Sequence, residues 1–541
     1  MSARSPRQAR KTLLAIAVSA MATALLAVTG CTTGQAPAGG GSSAPGAPLE
    51  SLKVATASQL GTLSVNQEAG IANYQIAALF QEGLLGLDNA GALVPALAES
   101  WTQTDNKVWK FQIRKDVKFS DGTPVTVEDI LFSVEVARDP KKSPGVSVYW
   151  PTNITSVKQT GDWEITFTLD APNNAFGSDV SNAGGLFVTS KAFYEKAKSY
   201  GSATDLIVGT GPYTVTEFDP TSHVSLAKNE NYWGTNDGPA TVRIDFITDD
   251  ATRQVAFQQG QADVALGVPL DQSEQWGASG ATVQFYGDRS YQGLTFDPNV
   301  APFNDIHVRN AIAMAVDKSG IVAGILKGKA AAATGIDSPE QLAPLVGLDA
   351  AKAGVAKLPG ASFSLENAKA ELAKSSHADG FTTALTYPTG YPAVGKASLA
   401  IADSLSKIGI TVNVKEVTLD SWLNDLGNGK AGLEWMIYLP TTSIPNEISS
   451  WLLAASGPGA NPANWTDDKL AAQVAAINSI DDKQKQFDEI MATTSVALEQ
   501  SIYVPVYWGQ AALATRKGVV ANDFGSYTLQ TNWAAAFTQS A

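Results

Sequence analysis

The sequence contains a single cysteine, Cys31, and three histidines, His223, His307 and His377, in unrelated contexts along 541 residues. No metal-ligand spacing and no Cys-His pair result, which disfavours a mononuclear metal site. A Gly-x-Ser-x-Gly elbow that would expose a nucleophilic serine does not occur. With 52 acidic residues, two carboxylates meeting in some cleft is expected by chance and does not signal glycoside hydrolysis. Gly209-Thr210-Gly211 has the glycines of a phosphate cradle, but neither a third glycine nor a helix follows, so a nucleotide loop is not expected. The chemistry on offer is that of binding. No catalytic residue, metal or cofactor is expected.

The elements that would position a binding site are clearest between Leu93 and Val134. Trp109, Phe111 and Ile113 alternate with Lys110, Gln112 and Arg114, the period of a strand with one wet face, and Val117 and Phe119 are expected to begin a second strand. Asp121-Gly122-Thr123-Pro124 reads as a tight turn. Thr126, three residues before Asp129, can cap a helix whose Ile130, Leu131 and Val134 form one apolar stripe. Three blocks in this order, Pro95 to Trp101, Arg114 to Pro124 and Thr126 to Asp129, resemble the signature region of the extracytoplasmic solute-binding proteins of ABC importers. That family includes dipeptide-, oligopeptide- and nickel-binding members. Further blocks that resemble it lie at Val208 to Tyr213, Asn229 to Gly234, Phe257 to Val264 and Pro302 to Lys318.

The N-terminus agrees with export. Residues 1–11 carry Arg4, Arg7, Arg10 and Lys11 and no acid, and an apolar run from Leu13 to Val28 follows, the form of a secretory signal. Val28-Thr29-Gly30-Cys31 looks like a bacterial lipobox, in which Cys31 becomes an acylated N-terminus after cleavage of residues 1–30. A protein with one cysteine has no internal disulfide, so lipidation accounts for where that cysteine sits. Residues 31–48, rich in Gly, Pro, Ala and Ser and uncharged from Thr32 onward, read as a flexible tether to the outer face of a membrane. Loss of the signal moves the net charge from −14 to −18. Without basic patches interleaved with aromatics, nucleic acid is not an expected partner.

The remaining length exceeds what one core serves, so two or more lobes are expected. Strands are expected at Leu52 to Thr56, Asp162 to Asp170, Ile410 to Val414 and Ile502 to Trp508. Helices are expected at Ile71 to Leu84, Leu365 to Ala373, Leu399 to Ile408 and Phe487 to Leu498. The resemblance implies an α/β, two-lobed periplasmic-binding-protein-like clamp of type II, the large peptide-binding class, with an extra sheet-rich subdomain in the first lobe. On that pattern residues 49–90, 206–292 and 505–541 form lobe I, 91–205 its sheet-rich insert, and 293–504 lobe II. Connecting strands near Tyr291 to Phe296 and Val504 to Trp508 would let the lobes close on a ligand.

Peptide-binding relatives hold the ligand's amino group with an aspartate shortly before an Asn-Glu or Asp-Pro pair. Here that stretch runs from Tyr438 to Glu447. With Asn446-Glu447 as the pair, Ile444 occupies the aspartate position, and no Asp or Glu lies between Trp435 and Asn446, so a neutral site is expected. Tyr438, Thr441, Thr442, Ser443 and Asn446 would suit hydrogen bonding to a neutral solute, with Tyr74, Trp435 and Trp451 as stacking rings. The resemblance therefore implies a monomeric, non-enzymatic, lipid-anchored binding component that delivers a peptide-like or other small polar solute to ABC permease subunits. An oligosaccharide on the same clamp, or a non-transport sensor or enzyme, remains as the alternative.

Overall fold

The computed structural model describes residues 46–68, 70–454 and 460–540. The signal segment, Cys31 and most of the tether lie outside them. Two large hydrophobic cores organise the described chain. One gathers apolar residues from Leu49 to Leu266 and from Leu513 to Phe537, the other from Tyr291 to Trp508. Two long antiparallel strands, Thr282–Phe296 and Tyr503–Thr515, run through both and join the two lobes.

These two strands lie inside one nine-stranded sheet. Leu433–Tyr438 pairs with Thr282–Phe296 on the second-lobe side. On the first-lobe side Tyr503–Thr515 continues through Val264–Leu266, Ser51–Thr56, Thr241–Phe246, His223–Lys228 and Tyr213–Asp219. Ser51–Thr56 has its partners Thr241–Phe246 and Val264–Leu266 parallel to it, with Val54 and Ala55 fully buried. The ladder between the long strands is broken where they pass from one core to the other. Gly287 pairs with Gln510 and Tyr291 with Trp508, which leaves residues 288–290 opposite Gly509 alone. In this bulge Arg289 takes a left-handed φ of 60°, and a Cβ on Gly509 would collide with Ser290 and Asp288.

The first lobe carries the expected sheet-rich part, four antiparallel strands in the order Ala98–Thr104, Val108–Ile113, Glu164–Leu169, Ile154–Gly161. Trp109, Phe111 and Ile113 point inward as their alternation predicts, and Phe111 meets Phe167 edge to face at 5.7 Å. The partner of this strand is not at Val117 and Phe119. Those residues are buried in an irregular segment with one bridge, Lys118 to Pro124, and the hairpin instead closes through Asp105 and Asn106, both at positive φ. Thr126 and Asp129 form the reciprocal capping box of helix Val127–Arg138. Gly209 and Gly211 serve close packing: the Gly211 N–H donates to Phe80 O at 3.1 Å, and a Cβ at Gly211 would come within 2.6 Å of the Phe80 carbonyl carbon.

In the second lobe, Phe381–Pro388, helix Pro392–Ser406 and Ile410–Val417 make a parallel strand-helix-strand unit, with Gly409 turning the chain at φ 97°. Helix Ile71–Ala77 is half as long as its sequence pattern suggests, and the end of the tether is not free: Ala47 and Pro48 pair with Gln539 and Thr538 at the last strand.

Candidate ligand-binding cleft

The two lobes meet along a seam. Asn174 donates from its N–H to Asn478 O at 2.7 Å and from Nδ2 to Ile480 O at 2.8 Å, Ser479 Oγ donates to Pro172 O at 2.7 Å, and Asn106 bonds Asp481. Away from these contacts Lys396 of the second lobe pairs with Asp271 of the first, and Val148 and Leu270 pack against the second core. Tyr149 stacks on Trp451 across the seam with ring centroids 4.8 Å apart.

That stack marks the candidate cleft, where buried phenols and carboxyls of the two lobes come together, and its first-lobe wall is built from three short elements. Helix Ile71–Ala77 supplies Tyr74, whose hydroxyl donates to Gly184 O at 3.3 Å. The turn Ser147–Tyr149 supplies Tyr149, and the short helix Phe176–Asp179 ends in Asp179. Tyr149 keeps 39% of its surface accessible, and burial of its phenol pushes it up to about 12.

The second-lobe wall follows from two prolines. Pro440 and Pro445 cannot continue the ladder of Leu433–Tyr438, so the chain leaves the sheet and enters helix Glu447–Leu453 after a loop of eight residues. The loop between is gripped from two sides. The Glu447 carboxylate accepts the N–H groups of Thr441 and Thr442, each at 3.0 Å, together with the Thr442 hydroxyl. Arg289 reaches in from the bulge and donates to Thr442 O at 2.6 Å and Pro440 O at 3.3 Å, its guanidinium 3.9 Å over the Tyr527 ring. Burial raises the Glu447 carboxyl above the ordinary range, opposed by the loop donors and by Arg289. Tyr74 and Tyr438 are pushed well above 10 by burial, with Glu447 adding to both. Burial likewise lifts Asp179 to about 8, against a hydrogen bond from Asn173, and Glu447 contributes to the rise.

The stretch expected to be neutral has two carboxyl groups beside it. No acid lies between Trp435 and Asn446 in sequence, but Glu447 folds back over Thr441 and Thr442, and Asp179 stands on the opposite wall. Tyr74, Tyr438, Thr441, Ser443 and Ile444 belong to the cleft elements. Tyr74 is almost fully buried, however, and the Ile444 carbonyl is occupied by Gln341 Nε2 at 2.9 Å. Thr442 and Asn446 are buried, the former on Glu447 and the latter donating to Ser450 Oγ at 2.7 Å. Trp435 does not line the cleft. It is 0% exposed in the second core, its Nε1 donating to Gln292, and offers no face to a ligand.

Tyr149, Asp179, Arg289 and Glu447 are the cleft residues that sequence reasoning missed. Only Tyr149 left a signal, an aromatic pair with Trp150 between Pro144 and Pro151. A separate cavity of about 210 Å³ lies beside the bulge, lined by Arg289, Lys329, Ser338, Glu340 and Trp508 among others.

Several of the blocks that carry the family resemblance meet one another within the first lobe, whereas Pro302 to Lys318 packs in the second core. Arg114 lies 4.1 Å over the Trp233 ring, Trp233 Nε1 donates to Glu82 at 3.0 Å, and the Ser120 N–H donates to Gly209 O at 2.8 Å. They build the scaffold that holds the cleft.

Comparison with known proteins agrees. The chain is 26% identical over 478 residues to the dipeptide-binding protein DppE of Bacillus subtilis, covering 84% of this chain and 86% of that one. DppA of Helicobacter pylori, solved with the peptide STSA, superposes with a TM-score of 0.80 at 21% identity over 91% of this chain and 98% of that one. AgaA of A. tumefaciens R10, solved with agropinic acid, gives 0.77 at 23% identity over 91% and 99%. These structures share the type II periplasmic-binding-protein fold, the two-lobed clamp. The model of the bacterial extracellular solute-binding proteins, family 5, matches residues 92–460, more than half the chain, and the protein belongs to that family.

Proposed function

We propose that this protein captures a small peptide-like solute between its lobes and hands it to the permease subunits of an ABC importer, anchored to the outer face of the cell membrane through a lipid on Cys31. The lobes are taken as residues 49–292 with 505–541, the segment 91–205 forming the sheet-rich insert, against residues 293–504. The observation that carries the reading is the cleft itself. Tyr74, Tyr149 and Asp179 from one lobe face Tyr438, Glu447 and Trp451 from the other, and ordering such groups on opposite walls serves a ligand held between them.

The relatives support it by name: DppE is a dipeptide-binding protein and DppA was solved with a peptide. AgaA with agropinic acid indicates that the scaffold is not confined to peptides. An oligosaccharide is the second reading, favoured by the stacked pair Tyr149 and Trp451, which could receive a sugar face.

A thermal-shift screen of the protein against di- and oligopeptides, neutral oligosaccharides and Ni(II) tests this. Stabilisation by peptides without turnover is expected; stabilisation by oligosaccharides alone would replace the peptide reading with the second. For the anchor, an alkyne-tagged fatty acid should label the wild type in cells and leave Cys31→Ala unlabelled. Equal labelling of both would remove Cys31 as the attachment point.

A further inference from the structure

We propose that Asp179 gives the clamp its charge preference, receiving a cationic group of the ligand from the first lobe, so that closure selects solutes bearing a primary ammonium such as a free peptide amino terminus. This deepens the proposed capture of a solute between the lobes and rests on it.

Two carboxylates face each other across the cleft, and only one has its needs met. Glu447 accepts two N–H groups and two hydroxyls, those of Thr442 and Tyr438, and has Arg289 nearby. Asp179 accepts a single hydrogen bond, from Asn173 Nδ2 at 3.2 Å. Among the described residues no Lys, Arg or His nitrogen lies within 4.0 Å of its carboxylate. An ionised carboxylate offers about four acceptor positions, so most of the capacity of Asp179 is unused.

Its placement points into the clamp. Asn173, its one partner, is next to Asn174, which bonds the second lobe through Asn478 and Ile480. Its backbone lies against Gly184, where a Cβ would come within 2.8 Å of Asp179 Cα, and the Gly184 carbonyl is the acceptor of the Tyr74 hydroxyl. Asp179 therefore belongs to the same wall as Tyr74, just inside the seam.

Closing the lobes brings this carboxyl toward Glu447, and a cleft that excludes water opposes ionising both at once, so Asp179 keeps its proton while the site is without a cation. A cation between them removes that opposition. A neutral solute leaves it in place, which couples charge recognition to the closed state through one group. The carboxyl of Asp179, lifted to about 8 by burial, is what a site without its counter-charge presents.

Isothermal titration of the purified protein with Met-Leu and Ser-Thr-Ser-Ala, each with a free and an N-acetylated amino terminus, and with maltotriose, tests the assignment. Free-amine peptides should bind at least about tenfold more tightly than their acetylated forms, the size of a lost charged hydrogen bond. Asp179→Asn, which retains an acceptor for Asn173, should abolish that preference and leave the acetylated peptides unaffected. Peptide binding in which the preference survives Asp179→Asn overturns the inference and leaves solute capture standing. Equal binding of free and acetylated peptides by the wild type does the same without any variant. Binding of maltotriose alone, or of none of these peptides, overturns both.

Discussion

Removing the Glu447 carboxylate should collapse the loop that forms the second-lobe wall. In Glu447→Ala the N–H groups of Thr441 and Thr442 and the Thr442 hydroxyl lose their acceptor together, and each buried donor left unpaired costs about 1–3 kcal/mol. Arg289, 2% exposed, keeps its bonds to Thr442 O and Pro440 O and loses only the longer-range attraction of the Glu447 charge. These contributions overlap and water entering the vacated space recovers part, so about 3–5 kcal/mol in all is expected. For a cooperative lobe of about 200 residues that is a fall in Tm of about 10 °C. Glu447→Gln keeps one acceptor oxygen and should lose about half as much. Thermal and urea unfolding followed by tryptophan fluorescence reads the effect, since Trp451 shares the helix of Glu447 and Trp435 sits in the same core. A loss under about 1 kcal/mol in Glu447→Ala would mean that the carboxylate does not organise the loop.

Three further expectations follow from the cleft. Tyr149→Ala removes the ring stacked on Trp451 and should weaken ligand binding about three- to tenfold with little change in Tm, because the ring is partly accessible; an unchanged Kd would take Tyr149 out of the site. The folded-state pKa of Asp179, about 8, lies above its ordinary value, so between about pH 4 and pH 8 the folded protein holds a proton the unfolded chain lacks and stability falls as pH rises. Glu447 is the charged group that acts on it, and Asn173 donates to it. Binding an ammonium requires the ionised form, so at pH 7 binding should release up to about one proton, and affinity should rise from pH 6 to pH 8. Equal titration heats in phosphate and Tris would contradict this. Lys396→Ala, which breaks the half-exposed pair with Asp271 across the seam, should change ligand Kd less than about fivefold at 0.15 M salt and not at all at 1 M; a larger, salt-independent effect would mean the pair holds the closed state.

The scaffold was legible because local chemistry decides it. The alternation of Trp109, Phe111 and Ile113 and the Thr126–Asp129 box each depend on residues a few positions apart. Val117 and Phe119 misled because alternation marks burial, and an irregular segment can bury alternate residues without a ladder partner. Thr282–Phe296 left little trace, since its half outside the second core is only partly buried on both faces and shows no period. The cleft was the least legible part. Its walls come from residues 74, 149, 179, 289, 438 and 447, and neither Asp179 nor Arg289 lies in a pattern of its own. Glu447 was read as half of an Asn-Glu landmark, while its effect depends on a loop folding back by six residues. Trp435 shows the opposite error, a large aromatic beside the site whose ring belongs wholly to the core.

A crystal structure of the protein with a free-amine dipeptide tests the central claim most directly. The solute should lie between Tyr149 and Tyr438, enclosed by both lobes, with its ammonium about 2.7–3.2 Å from an Asp179 oxygen. A dipeptide seated instead in the cavity beside Arg289 and Lys329, or on an outer face of either lobe, would contradict the account.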